Sequence, residues 1–293
     1  MAAFSLRRSL FALATSDRFE RAVRSTWRGE MFAYHLASRY VAGRTVDDAL
    51  TTARGLAASG VLSSIDLFGE NVTDPAAAEQ AADAYVELAG RLSDAPPGTY
   101  LSVDLSHLAI GESGPGPQRR LERIAAALPA GARIQVGAEH AARADRILET
   151  VLAVARVGGA VSATVQANLR RSDRDAGTLA EAGVPIRLVK GAYVETPALA
   201  RPWGDETDVA FVEIAYRLHG GGATVDLATH DRVLREALLP ALPGVGVEML
   251  LGVRPEDHAA LVARGVPVRV YVPYGDDWFR YAMRRAAESR GAR

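Results

Sequence analysis

The sequence predicts an α/β fold, a (βα)8 barrel of the TIM type with extra helices before it and one helix after it. From about residue 45, short β-branched runs alternate with longer Ala-rich helical patterns, which is typical of a parallel sheet. The chain has eight such runs, the number that closes a barrel, whereas doubly wound sheets more often have roughly five or six strands. No Gly-x-Gly-x-x-Gly motif follows any run, so nothing supports a dinucleotide-binding crevice.

The predicted elements follow one another in a regular order. The strands are expected at 61–67, 100–105, 133–137, 161–167, 185–190, 223–228, 245–251 and 267–272. The helices are expected at 75–93, 117–128, 139–157, 174–182, 206–219, 231–239, 256–264 and 276–290. Asp74 before Pro75, and Ser172 with Asp173, are typical of helix N-caps. We therefore expect a helical segment at 1–44 that packs on a barrel at 45–293, with the final helix over the barrel mouth.

The composition excludes several classes of protein. The chain has 293 residues, and 34 basic against 35 acidic residues give a net charge of −1, so no positive surface for nucleic acid is expected. Cysteine is absent, which excludes disulfides and thiolate nucleophiles. No run reaches the roughly 18 apolar residues of a transmembrane helix. The stretch after Arg7 and Arg8 is too short for a signal peptide and predicts an amphipathic helix, so we expect a cytoplasmic protein.

Functional groups of such barrels gather where the strands end. The candidates at these ends are Asp66, Asp104, His107, Glu139, Gln166, Asn168, Arg187, Lys190, His230 and Tyr271. Lys190 is the only lysine of the chain, beside 33 arginines. Alternation along its strand puts Arg187 and Val189 on one face, with Leu188 and Lys190 on the other. Gly191 and Ala192 then allow a ligand to approach the backbone closely.

The last predicted helix carries a second dense set of polar groups. Spacings of three and four place Tyr281, Arg284, Arg285 and Glu288 on a common side. Two adjacent guanidiniums with a phenol can receive a carboxylate, which arginine binds through paired hydrogen bonds. From the residues alone, a solvated Arg284–Glu288 pair explains the pattern equally well.

Together these segments resemble the proline dehydrogenase family over nearly the whole chain. The run from Arg187 to Tyr193 resembles the family's strand-five signature, and the run from Tyr271 to Gly275, continuing to Glu288, resembles its C-terminal signature. Ala228 to Asp231 and Glu248 to Gly252 stand in the expected order. The run from Ser64 to Asp74 is similar to the opening of the short, single-function members.

The resemblance implies a distorted barrel that holds non-covalent FAD at the strand ends and oxidises L-proline to Δ1-pyrroline-5-carboxylate, with electrons passing to a quinone or another acceptor. It implies catalytic roles for Arg187 and Lys190, whose fixed charge would stabilise charge that develops during hydride transfer. The substrate would contact Arg284, Arg285, Tyr271, Tyr281, Leu188 and the position of Asp104. The FAD would contact Gln166, Arg187, Val189, Lys190, Gly191, Ala192, Thr229, His230 and Glu288.

Three positions depart from the family pattern. The second strand carries Asp104 where the family has a lysine, and an aspartate would repel a substrate carboxylate that the lysine attracts. Gly137 stands where an aspartate usually ends the third strand, so both members of a Lys–Asp pair are missing. Asn168 occupies a place where an aromatic residue is common.

Other functions stay open from the sequence. The chain could oxidise another cyclic amino acid or amine with a flavin, or be a binding barrel of the same family without catalysis. A Schiff-base lyase would use Lys190 as its nucleophile, but this leaves the arginine pair unexplained. The six histidines are scattered without a His-x-His pair, so we expect no metal site. A peripheral contact with the inner face of the membrane is compatible with the sequence.

Overall fold

A computed structural model of the chain describes residues 17–289, except for the side chains of Asp17 and residues 286–289. The amphipathic helix expected around Arg7 and Arg8 lies outside this range. Within the described residues, no helix is long and apolar enough to cross a membrane. No group of three or more of their histidine, aspartate and glutamate side chains could hold a metal ion.

Eight parallel strands close into one barrel in sequence order, which confirms the predicted fold class. The strands are β1 Leu62–Leu67, β2 Tyr100–Val103, β3 Ile134–Val136, β4 Val161–Gln166, β5 Ile186–Val189, β6 Val225–Ala228, β7 Gly246–Leu250 and β8 Val268–Tyr274. Each of the eight predicted strands is present, with bounds that differ by a few residues at most.

The helices form the layer outside the barrel and the segment before it. They are α1 Asp17–Arg24, α2 Trp27–Ala37, α3 Val46–Ala57, α4 Pro75–Arg91, α5 Gly116–Ala126, α6 Ala144–Arg156, α7 Ser172–Glu181, α8 Asp205–Gly220, α9 Arg232–Leu238, α10 Glu256–Ala263 and α11 Trp278–Ser289. Asp74 caps α4 through Ala76 N and Ala77 N, as predicted. The helix predicted at 174–182 is present as α7, but its predicted N-cap was wrong, because the helix begins at Ser172 itself without a side-chain cap.

The strands have one apolar and one polar face. The ladders join the polar positions into one inner ring, in which Asp66 faces Ser102, Ser102 faces Gln135, and Arg187 faces Asp226. Apart from Ser63, the outward positions are apolar, and most of them belong to the main hydrophobic core under the helices. TIM barrels are usually filled by branched apolar side chains. This barrel instead has polar side chains in its interior, and these side chains make the mouth of the barrel a candidate functional site.

A second, smaller core holds α11 in place. Tyr40 and Val41, which follow α2, pack with Trp278, Phe279 and further apolar side chains of α11. The helix before the barrel and the helix after it are therefore tied together, so the arginine pair of α11 has a defined position.

Candidate active site

Arg187 crosses the barrel interior from β5. Its Nε donates to Thr164 Oγ1 on β4 at 3.0 Å, and its Nη1 donates to Gln135 Oε1 on β3 at 3.1 Å. Glu248 on β7 lies 3.7 Å from the same Nη1 and accepts a 2.7 Å hydrogen bond from Gln135 Nε2. Side chains from three strands thus fix this cation. Val189 follows on the same face and is partly exposed.

Lys190 lies on the opposite face, between the strand and the helix layer. Its Nζ contacts Asp208 Oδ1 on α8 at 2.6 Å and Asp231 Oδ2, the N-cap of α9, at 2.8 Å. Thr229 Oγ1 accepts the Asp231 N–H at 3.1 Å. Burial lowers the pKa of Lys190, but the two carboxylates outweigh it and the pKa is raised. An amine nucleophile needs a lowered pKa, so this environment opposes the Schiff-base alternative.

The backbone after β5 packs closely against the Asn168 side chain. Gly191 has a φ of 120°, and a Cβ there would lie 2.1 Å from Asn168 Oδ1. Asn168 Oδ1 is buried and has no hydrogen-bond partner among the described residues. Gln166 is oriented by its Nε2, which donates to Glu139 O at 2.8 Å, while its Oε1 accepts only a long 3.4 Å contact from Ala192 N. These groups leave acceptor atoms and backbone facing the same space.

His230 contributes a neutral ring at the end of β6. Its Nε2 accepts the Leu250 N–H at 3.2 Å. Burial, together with the positive charges of Arg235 and Arg285, lowers the pKa of His230 to about 3. The ring proton therefore sits on Nδ1, which is buried without a partner within the described part of the chain. This nitrogen is a donor that a ligand acceptor can use.

The arginine pair of α11 lies over the mouth beside two tyrosines. The rings of Tyr271 on β8 and Tyr281 on α11 are 5.9 Å apart, and the Arg285 guanidinium lies 5.2 Å from the Tyr281 ring. Burial raises the pKa of Tyr193, and the nearby Arg284 opposes that rise. The four substrate candidates on β8 and α11 are thus brought to one region, next to the loop that follows β5.

Two carboxyl groups lie at the ends of β1 and β2, on the side of the barrel next to β8. Asp66 is the last residue but one of β1 and accepts a hydrogen bond from the Tyr271 hydroxyl at 2.6 Å. Asp104 follows β2 on the same inner face, and a Cβ at Gly137 would lie 1.8 Å from its Oδ1. The two departures from the family pattern are therefore direct cross-strand neighbours, as the members of a Lys–Asp pair would be.

One expected contact, that of Leu188, is not seen at the mouth. Leu188 points outwards with no exposed surface and packs in the main apolar core, so the structure does not bring it to the substrate candidates. The side chain of Glu288 lies outside the described side chains. The sequence also missed the partners of Lys190: Asp231 could have been found as a helix N-cap, whereas Asp208 carries no local signal.

Fold and site together define a (βα)8 barrel with a charged interior and an arginine pair at the carboxyl ends of its strands. A sequence model of the family described as proline dehydrogenase matches residues 49–293. The chain therefore belongs to the proline dehydrogenase family, a family of oxidoreductases. Proline dehydrogenase of Deinococcus radiodurans is 32% identical over 269 residues, which cover 87% of either chain. Proline dehydrogenase 1 of Bacillus subtilis is 31% identical over 262 residues, which cover 86% of either chain.

Solved structures share the barrel. Proline utilization A from Bdellovibrio bacteriovorus, inactivated by N-propargylglycine, gives a TM-score of 0.82 at 20% identity over 100% of this chain. A variant of proline utilization A from Bradyrhizobium japonicum gives a TM-score of 0.72 at 22% identity over 94% of it. The chain spans only 37% and 32% of the length of those two proteins. At these identities the similarity concerns the fold.

Proposed function

We propose that the protein catalyses the FAD-dependent oxidation of L-proline to Δ1-pyrroline-5-carboxylate in proline catabolism, with electrons passing to a quinone or another acceptor. The observation that carries this proposal is the convergence of two distant segments. Arg187 and the loop after β5 meet the α11 arginine pair at one mouth, within a chain of the proline dehydrogenase family.

The residues at the mouth fit a flavin dinucleotide. Gly191 has no Cβ, which lets the Asn168 side chain lie against its backbone, and His230 Nδ1 is a buried donor without a partner within the described range. Asn168 Oδ1 is a buried acceptor that likewise has no hydrogen-bond partner among the described residues. Such orphaned polar atoms are costly unless a ligand satisfies them. The proposed contacts are Gln166, Arg187, Val189, Lys190, Gly191, Ala192, Thr229, His230 and Glu288. Bound FAD supplies the two-electron acceptor.

The remaining chemistry belongs to side chains of this chain. Arg284 and Arg285 bind the substrate carboxylate through charge-assisted hydrogen bonds, and Tyr271 and Tyr281 pack against its ring. Arg187 is a fixed cation that favours negative charge developing near it. Lys190 is compensated by its two aspartates, so its role is to hold β5 against α8 and α9, in contact with the cofactor.

The visible absorption spectrum of the purified protein tests the cofactor, and its bleaching by L-proline under anaerobic conditions tests the substrate. We expect a yellow protein that L-proline bleaches. In Arg284→Met we expect bleaching to need at least about a hundredfold more L-proline, since a charged hydrogen bond contributes about 1.5–3 kcal/mol and a paired contact more. Arg119→Met is the matched control, because Arg119 is exposed on α5.

Each negative result has a distinct meaning. A colourless protein that does not bind added FAD would refute the cofactor. A yellow protein that L-proline does not bleach would keep the cofactor and reject the substrate, leaving oxidation of another cyclic amino acid or amine. Flavin and proline binding without reduction of a dye acceptor would indicate a binding barrel without catalysis.

A further inference from the structure

Two carboxyl groups on neighbouring strands have no cation beside them. Asp66 on β1 is opposite Ser102 on β2, and Asp104 follows two positions later on the same inner face. Asp66 is only 4% exposed. Among the described residues, no lysine, arginine or histidine nitrogen lies within 4.0 Å of either carboxyl group. The family resemblance expects a lysine where this chain has Asp104, so the chain has a carboxyl group at a position where the family has a cation.

The hydrogen bonds of these carboxyls are incomplete as well. Asp66 Oδ2 accepts the Tyr271 hydroxyl, but Asp66 Oδ1 is buried without a partner in the described part of the chain. Ser64 Oγ, two residues earlier on the same inner face, is buried and equally unpartnered there. The Asp104 carboxyl makes no hydrogen bond to the described residues and retains some exposed surface. An uncompensated carboxylate in such a place is costly, and a cationic ligand group would remove the cost.

Gly137 determines where Asp104 can lie. The space that a Cβ at 137 would occupy is taken by the Asp104 carboxyl, since the two atoms would be 1.8 Å apart. The backbones are joined at this point, because Gly137 N donates to Val103 O at 2.9 Å. Any side chain at 137 would therefore displace Asp104. Gly137 is a positioning residue for that carboxyl.

We propose that Asp66 and Asp104 form a subsite for the ring ammonium of the substrate, so that this chain binds a cyclic amino acid as its zwitterion. The inference rests on the proposed function, in which Arg284 and Arg285 hold the carboxylate. Tyr193 is within electrostatic reach of both Asp104 and Arg284, so the carboxyl and the guanidinium lie in the same part of the mouth.

The pKa values of Asp66 and Asp104 are both raised. Burial raises the pKa of Asp66 to about 7, against the hydrogen bond from Tyr271, the nearby Ser102 hydroxyl and the positive charge of Arg187. Burial and the charge of Asp66 raise the pKa of Asp104 well above its usual range. The other charged and titratable groups that face the pair are Glu70, Tyr85, Glu139, Arg187, Tyr193, Tyr271 and Tyr274. The empty pair therefore holds protons near neutral pH, and an arriving ammonium displaces them.

Calorimetric titration of the purified flavoprotein with two half-substrates tests this subsite. The titration is carried out at about pH 7, close to the pKa of Asp66, where pyrrolidine is a cation and carries no carboxylate. Tetrahydrofuran-2-carboxylate has the carboxylate and no ring nitrogen. Asp104→Asn keeps the side-chain shape, so we expect it to weaken pyrrolidinium binding about tenfold or more and to leave the acid probe unchanged. Gly137→Ala should act in the same direction, because the new Cβ displaces Asp104.

Asp94→Asn is the control, an exposed carboxyl in the short helix that precedes β2. Titrations in buffers of different ionisation enthalpy give a second measurement on the unaltered protein: pyrrolidinium binding should release protons, and binding of the acid probe should not. Equal effects of Asp104→Asn on both probes, or no effect on either, would refute the subsite. So would pyrrolidinium binding without proton release, even if Asp104→Asn failed to fold. The proposed function has its own test, since bleaching of the flavin by L-proline is measured separately from the binding of the two probes.

Discussion

Lys190, the only lysine of the chain, should stabilise the fold through its contacts with two carboxylates that are distant in sequence, those of Asp208 and Asp231. Replacing it by methionine keeps a chain of similar length and removes the charge. Asp208 and Asp231, which Nζ contacts at 2.6 and 2.8 Å, would then face each other without a cation. Asp231 also caps α9 through Val233 N and Leu234 N, so the change affects a helix end as well.

The size of the effect follows from the two contacts and their exposure. A hydrogen bond to a charged group contributes about 1.5–3 kcal/mol. The side chains of Lys190, Asp208 and Asp231 are 25%, 30% and 23% exposed, so each contact is discounted towards the lower limit. We expect Lys190→Met to lower the free energy of unfolding by about 3 kcal/mol, which is a fall of about 6 °C in Tm for a chain of this size.

The loss has a defined pH dependence. The pKa of Lys190 is raised, so its contribution is complete below the ordinary lysine value and disappears only as pH rises through the raised pKa. The pKa of Asp231 is lowered, so its contribution is present above the ordinary aspartate value and disappears as pH falls through the lowered pKa. The difference between the two proteins should therefore be constant between about pH 5 and 10 and should narrow in acid.

Urea denaturation at pH 7 and pH 3.5 measures this difference. Lys190→Arg retains the charge but presents a planar group, so we expect it to lie between the wild type and Lys190→Met. A variant Lys190→Met as stable as the wild type at pH 7 would refute the reasoning. A difference that stays the same in acid would mean that the loss comes from packing and not from the two carboxylates.

Two further changes are tested by similar measurements. Arg235 and Arg254 hold Asp257 and, despite its burial, lower its pKa to about 2, so Asp257→Asn should cost about 2 kcal/mol at pH 7. In urea titrations that cost should disappear as pH falls through about 2, and a constant cost would contradict the ion-pair explanation. Gly191→Ala should lower both thermal stability and flavin content, because Asn168 fills the place of its Cβ. Asn168→Ala in the same chain should restore part of both, and no restoration would exclude the clash as the cause.

The alternation of side chains along a strand, with a period of two, allowed the sequence to predict which residues of β5 share a face. It separates Arg187 and Val189 from Leu188 and Lys190, and the structure keeps that division. Alternation does not show which face is the interior, and an apolar interior would be the usual expectation. Here the arginine side points inwards to Gln135 and Glu248, while Leu188 packs under the helices. The expected contact of Leu188 with the substrate came from the resemblance and not from the strand pattern.

Contacts across long loops could not be predicted in the same way. Asp208 reaches Lys190 because the chain between β5 and α8 folds back over the strand end, and no local pattern encodes that path. Ser172 illustrates a competition between two local possibilities. Its hydroxyl donates to Gln166 O instead of capping α7, which fixes the backbone next to a proposed cofactor contact. Both outcomes depend on tertiary neighbours, which the sequence pattern does not specify.

In the sequence, Asp104 and Gly137 are two separate departures from the family, and in the structure they are one steric unit. An aspartate at 137, as in the family pattern, would begin with a Cβ 1.8 Å from the present Asp104 carboxyl. Restoring that residue alone would therefore force Asp104 out of its place, and it would bring a third carboxyl to Asp66. Restoring a lysine alone at 104 would leave it without the aspartate that usually faces it. Because the two positions share one space and one set of charges, we expect the effects of changing them not to be additive.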